Sequence, residues 1–210
     1  MTITHNDIAG VLLAGGQSRR MGGGDKGLLG FGQGTMLGHV IDRFAPQVGK
    51  LVLNANGDPA RFAAFGLPVV ADTVAGNVGP LAGVLAGMRW ARDNTDAAFI
   101  ATASTDAPFL PLDLVTRLHA VATAHPGAIA IARSGGHLHP VIGLWPVAHY
   151  DDLASALQDE GIRKVLRWTD RHGTIPVDFA DLELGGQTVD PFFNANTPDE
   201  LEQARRLIES

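Results

Sequence analysis

An apolar run, Ile8 to Leu13, passes without interruption into Ala14 and a pair of glycines, and a dense set of cations follows. A short apolar run bounded by glycines reads as a buried strand. Gly15 and Gly16 then let backbone N–H groups approach an anion with no Cβ in the way. Arg19, Arg20 and Lys26 add positive charge in a chain whose net charge is −6. A triphosphate needs both elements, fixed N–H donors for its oxygens and cations for its charge. Two better-known phosphate patterns are absent. Gly15-Gly16-Gln17-Ser18-Arg19-Arg20 lacks the GxGxxG spacing of dinucleotide binding, and Lys26 is followed by Gly27 rather than the Ser or Thr of a Walker A loop. A hydride-transfer enzyme and an ordinary P-loop ATPase are thereby disfavoured. A surface loop with solvated charges would explain a lone pair of glycines. A strand, two glycines, two arginines, three glycines and a lysine in this order favour phosphate binding.

Beyond this loop, strand-like and helix-like segments alternate. Thr35 to Val48 reads as a helix, Leu51 to Asn54 and Pro68 to Ala71 as strands. Leu81, Val84, Leu85 and Met88 fall at helical spacing, with Pro80 in the first turn where its missing N–H costs nothing. Ala97 to Ala103 is another strand, and Leu114, Val115, Leu118 and Val121 mark the next helix. Ala128 to Ala132, Pro140 to Trp145 and Phe192-Phe193 read as strands, Asp151 to Leu157 and Ile162 to Trp168 as helices. Thr197 and Glu200 form a capping box for a last helix. Repeated βα units imply an α/β fold, with a mostly parallel sheet covered on both faces and ligands at the carboxyl ends of its strands. The 210 residues are expected to form one domain. The less regular region 133–195 is expected to contribute a subdomain over the site.

Composition narrows the classes further. With 45% hydrophobic and 18% charged residues a packed core is feasible. The absence of Cys removes disulfides, thiolate metal sites and Cys nucleophiles. A negative chain is poorly suited to general nucleic-acid binding. No basic n-region precedes an apolar signal core and no run is long enough to span a membrane, so a cytoplasmic setting with no membrane partner is expected.

The stretch LAGGQSRRMGGGDKGLL resembles the signature loop of the molybdenum cofactor guanylyltransferases, MobA-type nucleotidyltransferases, and the likeness runs through nearly the whole chain. It implies a Rossmann-like three-layer α/β/α fold of the nucleotide-diphospho-sugar transferase kind. It also implies GMP transfer from GTP to the terminal phosphate of Mo-loaded molybdopterin, with release of pyrophosphate. The residues before about 130 would bind GTP and those after it would help bind the acceptor. Mg²⁺ is the implied cofactor; transient contacts with molybdenum-insertion proteins and molybdoenzyme chaperones are further implied partners.

The candidate site residues follow. Leu13, Ala14, Gly15, Gly16 and Lys26 would contact the nucleotide, with Arg19 and Lys26 neutralising charge during transfer. Asp106 follows the strand ending at Ala103 in Ser104-Thr105-Asp106-Ala107-Pro108. A carboxylate there can hold Mg²⁺ or cap the next helix, and its place at the ligand edge favours the metal, as does the resemblance. Asn54 and Asp72 end strands. An amide and a carboxylate can read guanine's 6-oxo and N–H edge, though both residue types are equally at home in plain turns. Gly79 would let a helix N-terminus approach the ligand, or serve tight packing. Asn194 and Asn196 are read as acceptor contacts, with turn chemistry as the alternative for Asn196. His139 is read as starting a strand and shaping the acceptor cleft. Arg163, Lys164 and Arg167, placed on one short helix, could hold the acceptor's phosphate or be an ordinary solvated face. No Ser–His or Cys–His nucleophile pair stands out, and an ionised phosphate attacking an α-phosphorus needs no general base. The rivals are a cytidylyl or sugar-phosphate transferase, and, from another class, a non-catalytic nucleotide sensor.

Overall fold

The structure is a computed structural model that describes residues 7–14, 25–74, 76 and 79–209. Its first strand, β1 (Ile8–Leu13), is buried along its whole length, as its unbroken apolar sequence requires. A short hairpin, β2 (Gly30–Phe31) and β3 (Gly34–Thr35), leads into helix α1 (Met36–Phe44). Thr35 caps α1 by accepting from the Gly38 N–H at 3.1 Å. Pro46 has no N–H to continue the helix, and a 3-10 turn over Ala45–Gln47 replaces the last part of the expected Thr35–Val48 helix.

Strand β4 (Lys50–Asn54) follows, then a 3-10 helix over Pro59–Phe65 that periodicity does not reveal, then β5, which keeps only Val69–Val70 of its expected span. Helix α2 (Pro80–Asn94), β6 (Phe99–Ser104), helix α3 (Leu114–Ala124) and β7 (Ile129–Ser134) complete the regular alternation. Gly135 and Gly136, both at positive φ, make a two-residue turn into β8 (His137–Pro146). Helices α4 (Tyr150–Gln158) and α5 (Val165–Thr169), strand β9 (Thr174–Asp178), the hairpin β10 (Leu182–Leu184) and β11 (Gln187–Val189), and helix α6 (Pro198–Glu209) finish the chain.

The main sheet has the order β5-β4-β1-β6-β8-β7-β9. All neighbouring pairs are parallel except those made by β8, which runs against both β6 and β7. Strand alternation divides the interior. Ile8 and Leu12 face a core with Leu37, Val40 and Phe44 of α1 and Leu114 and Leu118 of α3. Ala9, Val11 and Leu13 face the opposite core, with α2, α4 and α5. Val11 and Leu12 are fully buried, each worth about 1.5–3 kcal/mol of burial. Helix α2 lies unusually close to the sheet because Gly83 and Gly87 share the face turned to it. A Cβ on Gly87 would stand 2.6 Å from Val11 Cγ2, and one on Gly83 would stand 2.8 Å from Leu13 Cδ2 and overlap Asn54 Oδ1.

Three expectations need correction. Phe192-Phe193 is a turn rather than a strand; Phe192 is apolar because it is buried against the rings of His139 and Phe179. The expected Ile162–Trp168 helix begins only at Val165, since Gly161 at φ +66 turns the chain and Lys164 is extended. Region 133–195 does not stand apart as a unit: β8 and β9 join the main sheet, and only β10–β11 forms a separate hairpin. Among the described residues no helix is long and apolar enough to cross a membrane.

Candidate functional site

Strand register builds the site. Leu13 pairs with Asn54 on one side and Ser104 on the other, and Asn54 pairs with Val70, so four strands end in one row. The chain leaves β1 with the Ala14 N–H donating to the Asn54 carbonyl at 2.9 Å. Above this row lies a cavity of about 350 Å³ whose lining includes Leu13, Ala14, Asn54, Asn56, Asp72 and Gly79.

On one flank, the Asp72 carboxylate accepts from Asn54 Nδ2 at 3.0 Å and from Asn56 Nδ2 at 2.7 Å, and its own N–H donates to Asn56 Oδ1 at 2.9 Å. Asn54 and Asp72 therefore meet, as their places at strand ends predict. Asn56 is an addition that the Asn54-Ala55-Asn56 repeat could have signalled. Asn54 is 5% exposed, so its amide is fixed by neighbours rather than by solvent. Gly79, at φ +82, opens α2 on the same cavity. A non-glycine residue would be strained there.

On the other flank, Asp106 follows β6 in a half-buried position, with the Ser104 hydroxyl donating to its Oδ1. Its carbonyl accepts the Ala195 N–H at 3.0 Å, which joins the 194–196 loop to the end of β6. Lys26 Nζ donates to Asn196 Oδ1 at 2.8 Å. The loop is stiffened from behind: Glu200 Oε2 accepts from the N–H groups of Asn196 and Thr197, both at 2.8 Å, and the Glu200 N–H returns to Thr197 Oγ1 at 3.2 Å. This is the expected capping box. Among the described residues, Asn194 Oδ1 is buried with no hydrogen-bond partner.

Because β8 is antiparallel to β6 and pairs with it only as far as Thr102↔Gly143, its first residues run on toward the carboxyl end of β6. His139 therefore stands at the ligand edge. The Ser134 hydroxyl gives its single proton to Asp190 Oδ1 at 2.7 Å, so its 2.6 Å bond to His139 requires the proton on His139 Nε2. Asp190 Oδ1 also accepts the Phe192 N–H at 2.8 Å, which ties β8 to the chain entering the 194–196 loop. Burial holds the His139 pKa below its usual value; the nearby Asp190 carboxylate opposes that shift and His137 adds to it. Ser134 and Asp190 carry no signal in the sequence, because their partners are distant in the chain.

Arg163 and Lys164 are not on the helix assigned to them. They precede it, Arg163 donating from Nη1 to the carbonyls of Leu157 and Ile162, and Arg167 alone lies on α5. The Arg163 carbonyl lies 3.6 Å from the point where a Gly79 Cβ would stand, so its backbone reaches the rim of the cavity. Gly15, Gly16 and Arg19 lie outside the described residues. Among the described residues no group of three His, Asp or Glu side chains could hold a metal by itself.

A family model described as a MobA-like NTP transferase domain matches residues 10–174. The chain is 54% identical over 204 residues to a molybdenum cofactor guanylyltransferase of Mesorhizobium japonicum, covering 97% of each. It is 53% identical to one of a Bradyrhizobium species, covering 97% of this chain and 94% of the relative. Among solved structures, the molybdopterin-guanine dinucleotide biosynthesis protein A of Archaeoglobus fulgidus is similar with a TM-score of 0.70 at 22% identity, over 96% of this chain and 98% of that one. Rv0371c of Mycobacterium tuberculosis in complex with manganese gives a TM-score of 0.66 at 22% identity, over 95% and 98%. At such identities the two structures speak for the fold alone.

Proposed function

The chain belongs to the MobA-like NTP transferase family, and on that premise we propose how its residues divide the work of a molybdenum cofactor guanylyltransferase. The fold is the mostly parallel sheet of the nucleotide-diphospho-sugar transferases. The enzyme transfers GMP from GTP to the terminal phosphate of Mo-molybdopterin and releases pyrophosphate; the molybdenum belongs to the substrate.

The observation that carries the division of work is the bond between Lys26 and Asn196 beside Asp106. It joins the end of the N-terminal loop, the acid after β6 and the 194–196 loop. Lys26 then faces the triphosphate, and Asn194 and Asn196 lie on the acceptor side. Residues up to about 130 hold the nucleotide and those beyond contribute acceptor contacts, His139 among them. The Arg163 backbone lies beside Gly79 and its guanidinium is engaged by the Leu157 and Ile162 carbonyls, which weakens its reading as an acceptor-phosphate ligand. Asn54 and Asp72 read the guanine edge. Asp72 accepts from both amides, and a carboxylate has further lone pairs with which to take the two N–H groups that guanine offers and adenine does not.

The donor set suits a hard divalent cation. Asp106 has one oxygen engaged by Ser104, leaving the other for the ion, and Mg²⁺ typically binds through one or two carboxylates with substrate phosphates completing its shell. When bound, the ion would neutralise charge on the triphosphate and the departing pyrophosphate. The chain's own part is to align the two phosphates and screen their repulsion, with Lys26 and Arg19 as the cations. The acceptor phosphate is ionised near neutrality, so no side chain needs to remove a proton. The reading extends to a cytoplasmic setting and to transient contacts with molybdenum-insertion proteins and molybdoenzyme chaperones.

Thermal-shift titration with GTP, CTP and ATP in the presence of Mg²⁺, followed by pyrophosphate release with Mo-loaded molybdopterin, tests this. Stabilisation by GTP and release dependent on the acceptor are expected. Stabilisation by CTP alone would remove the assignment of Asn54 and Asp72 to guanine.

A further inference from the structure

Arg61 sits on the 3-10 helix Pro59–Phe65, at no strand end, and its guanidinium reaches three parts of the chain. Its Nε lies 2.5 Å from Asp25 Oδ2, an ion pair without aligned hydrogen-bond geometry. Its Nη2 donates to the Asn56 carbonyl at 2.5 Å and its Nη1 to the Asp58 carbonyl at 3.0 Å. The side chain crosses Gly57, where a Cβ would stand 2.9 Å from Nη1 and the backbone holds φ +88. Only glycine leaves room for that crossing. Asp25 is the neighbour of Lys26, and Asn56 grips both the carboxylate and the N–H of Asp72. The same segment also accepts the Ala14 N–H through Asn54.

We propose that Arg61 is a positioning residue that holds Asp25, and with it Lys26, in register with the Asn56–Asp72 pair, so that one guanidinium sets phosphate binding and purine selection together. This rests on the reading that Lys26 meets the triphosphate and Asp72 the guanine edge. Arginine suits the task because its planar fork is always charged and its donors are fixed relative to one another. An exposed ion pair alone would contribute little. Here the pair is about 30% and 25% exposed, and the same side chain is also fixed by two carbonyls.

The test uses the full chain with GTP, ITP and inorganic pyrophosphate. ITP lacks the 2-amino group, so preference for GTP over ITP reads the Asp72 end, and inhibition by pyrophosphate reads the Lys26 end. Arg61→Ala is expected to weaken pyrophosphate inhibition about tenfold and to erode the GTP-over-ITP preference by about the same factor, the scale of one charge-assisted contact. Asp25→Asn is expected to reproduce the pyrophosphate loss, and the double variant to lose no more of it than Arg61→Ala alone. The proposal is overturned if Arg61→Ala shifts neither constant beyond twofold, shifts only one, or lowers the Tm while leaving both unchanged. Additive pyrophosphate losses in the double variant would overturn it as well. A wild-type enzyme indifferent to ITP would instead remove the Asp72 reading itself, and this inference with it.

Discussion

Lys26 Nζ and Asn196 Oδ1, 170 residues apart in the chain, meet in a 2.8 Å hydrogen bond at the carboxyl edge of the sheet. Removing Lys26 should therefore be felt on both substrates, and removing Asn196 mainly on the acceptor. Lys26→Ala is expected to lower kcat about 100-fold, the scale for losing one preorganised donor at a charged transition state. It should also raise the acceptor KM, because Asn196 loses its brace. Asn196→Ala should act chiefly on the acceptor KM. Steady-state kinetics with each substrate varied in turn would separate the two, and unchanged acceptor KM in both variants would deny the bond a role in catalysis.

Asp106→Ala should reduce turnover roughly 1,000-fold or more through loss of the divalent ion. Asp106→Asn should keep the loop in place, since the Ala195 contact is made by the backbone carbonyl, yet remain nearly inactive. Binding of Mn²⁺ in the presence of GTP, followed by magnetic resonance, would report the ion directly. Wild-type Mn²⁺ affinity in either variant would refute the metal assignment.

The two glycines of α2 make a paired prediction. Gly83→Ala forces a methyl into Asn54 Oδ1 and Leu13, and Gly87→Ala forces one into Val11. Both should destabilise by about 1–3 kcal/mol, the usual cost of overpacking. Only Gly83→Ala should also weaken GTP, because only it displaces a residue of the cavity. Urea denaturation with and without GTP measures both effects, and equal ligand stabilisation in the two variants would count against Asn54.

Stability should fall as the solution is acidified through the usual histidine range. His39, His119 and His139 all have folded-state pKa values below the ordinary 6.5, each chiefly because of burial. The unfolded chain then takes up protons first, so stability is intact above the ordinary value and is lost from there down to the folded pKa values. Urea midpoints from about pH 8 to about pH 5 test this. His139→Asn, which can still donate to Ser134, should flatten part of the decline.

Much of this site could be read from local pattern. The run at Ile8–Leu13, the acid after β6, the polar residues ending β4 and following β5, and the Thr197–Glu200 cap are decided by neighbours in sequence, and the structure keeps them where they were expected. What escaped depends on distant partners. Arg61, Ser134 and Asp190 have ordinary surroundings in the chain and acquire meaning only when Asp25, His139 and the 194–196 loop arrive beside them. Phe192 misled because burial in a core and membership of a strand demand the same side chain. Arg163 and Lys164 misled because helical spacing of charges cannot show that Gly161 has already turned the chain.

The reversed strand β8 has one more consequence. The nucleotide side of the cleft is assembled from strands whose ends are locked by long-range pairing, so altering its outline means moving the scaffold. His139 instead arrives just past a tight two-glycine bend, where shape is a local matter of a few torsions. An engineer wishing to admit a different pterin-like partner would begin at Gly135–Gly136, where insertions leave the parallel pairing untouched.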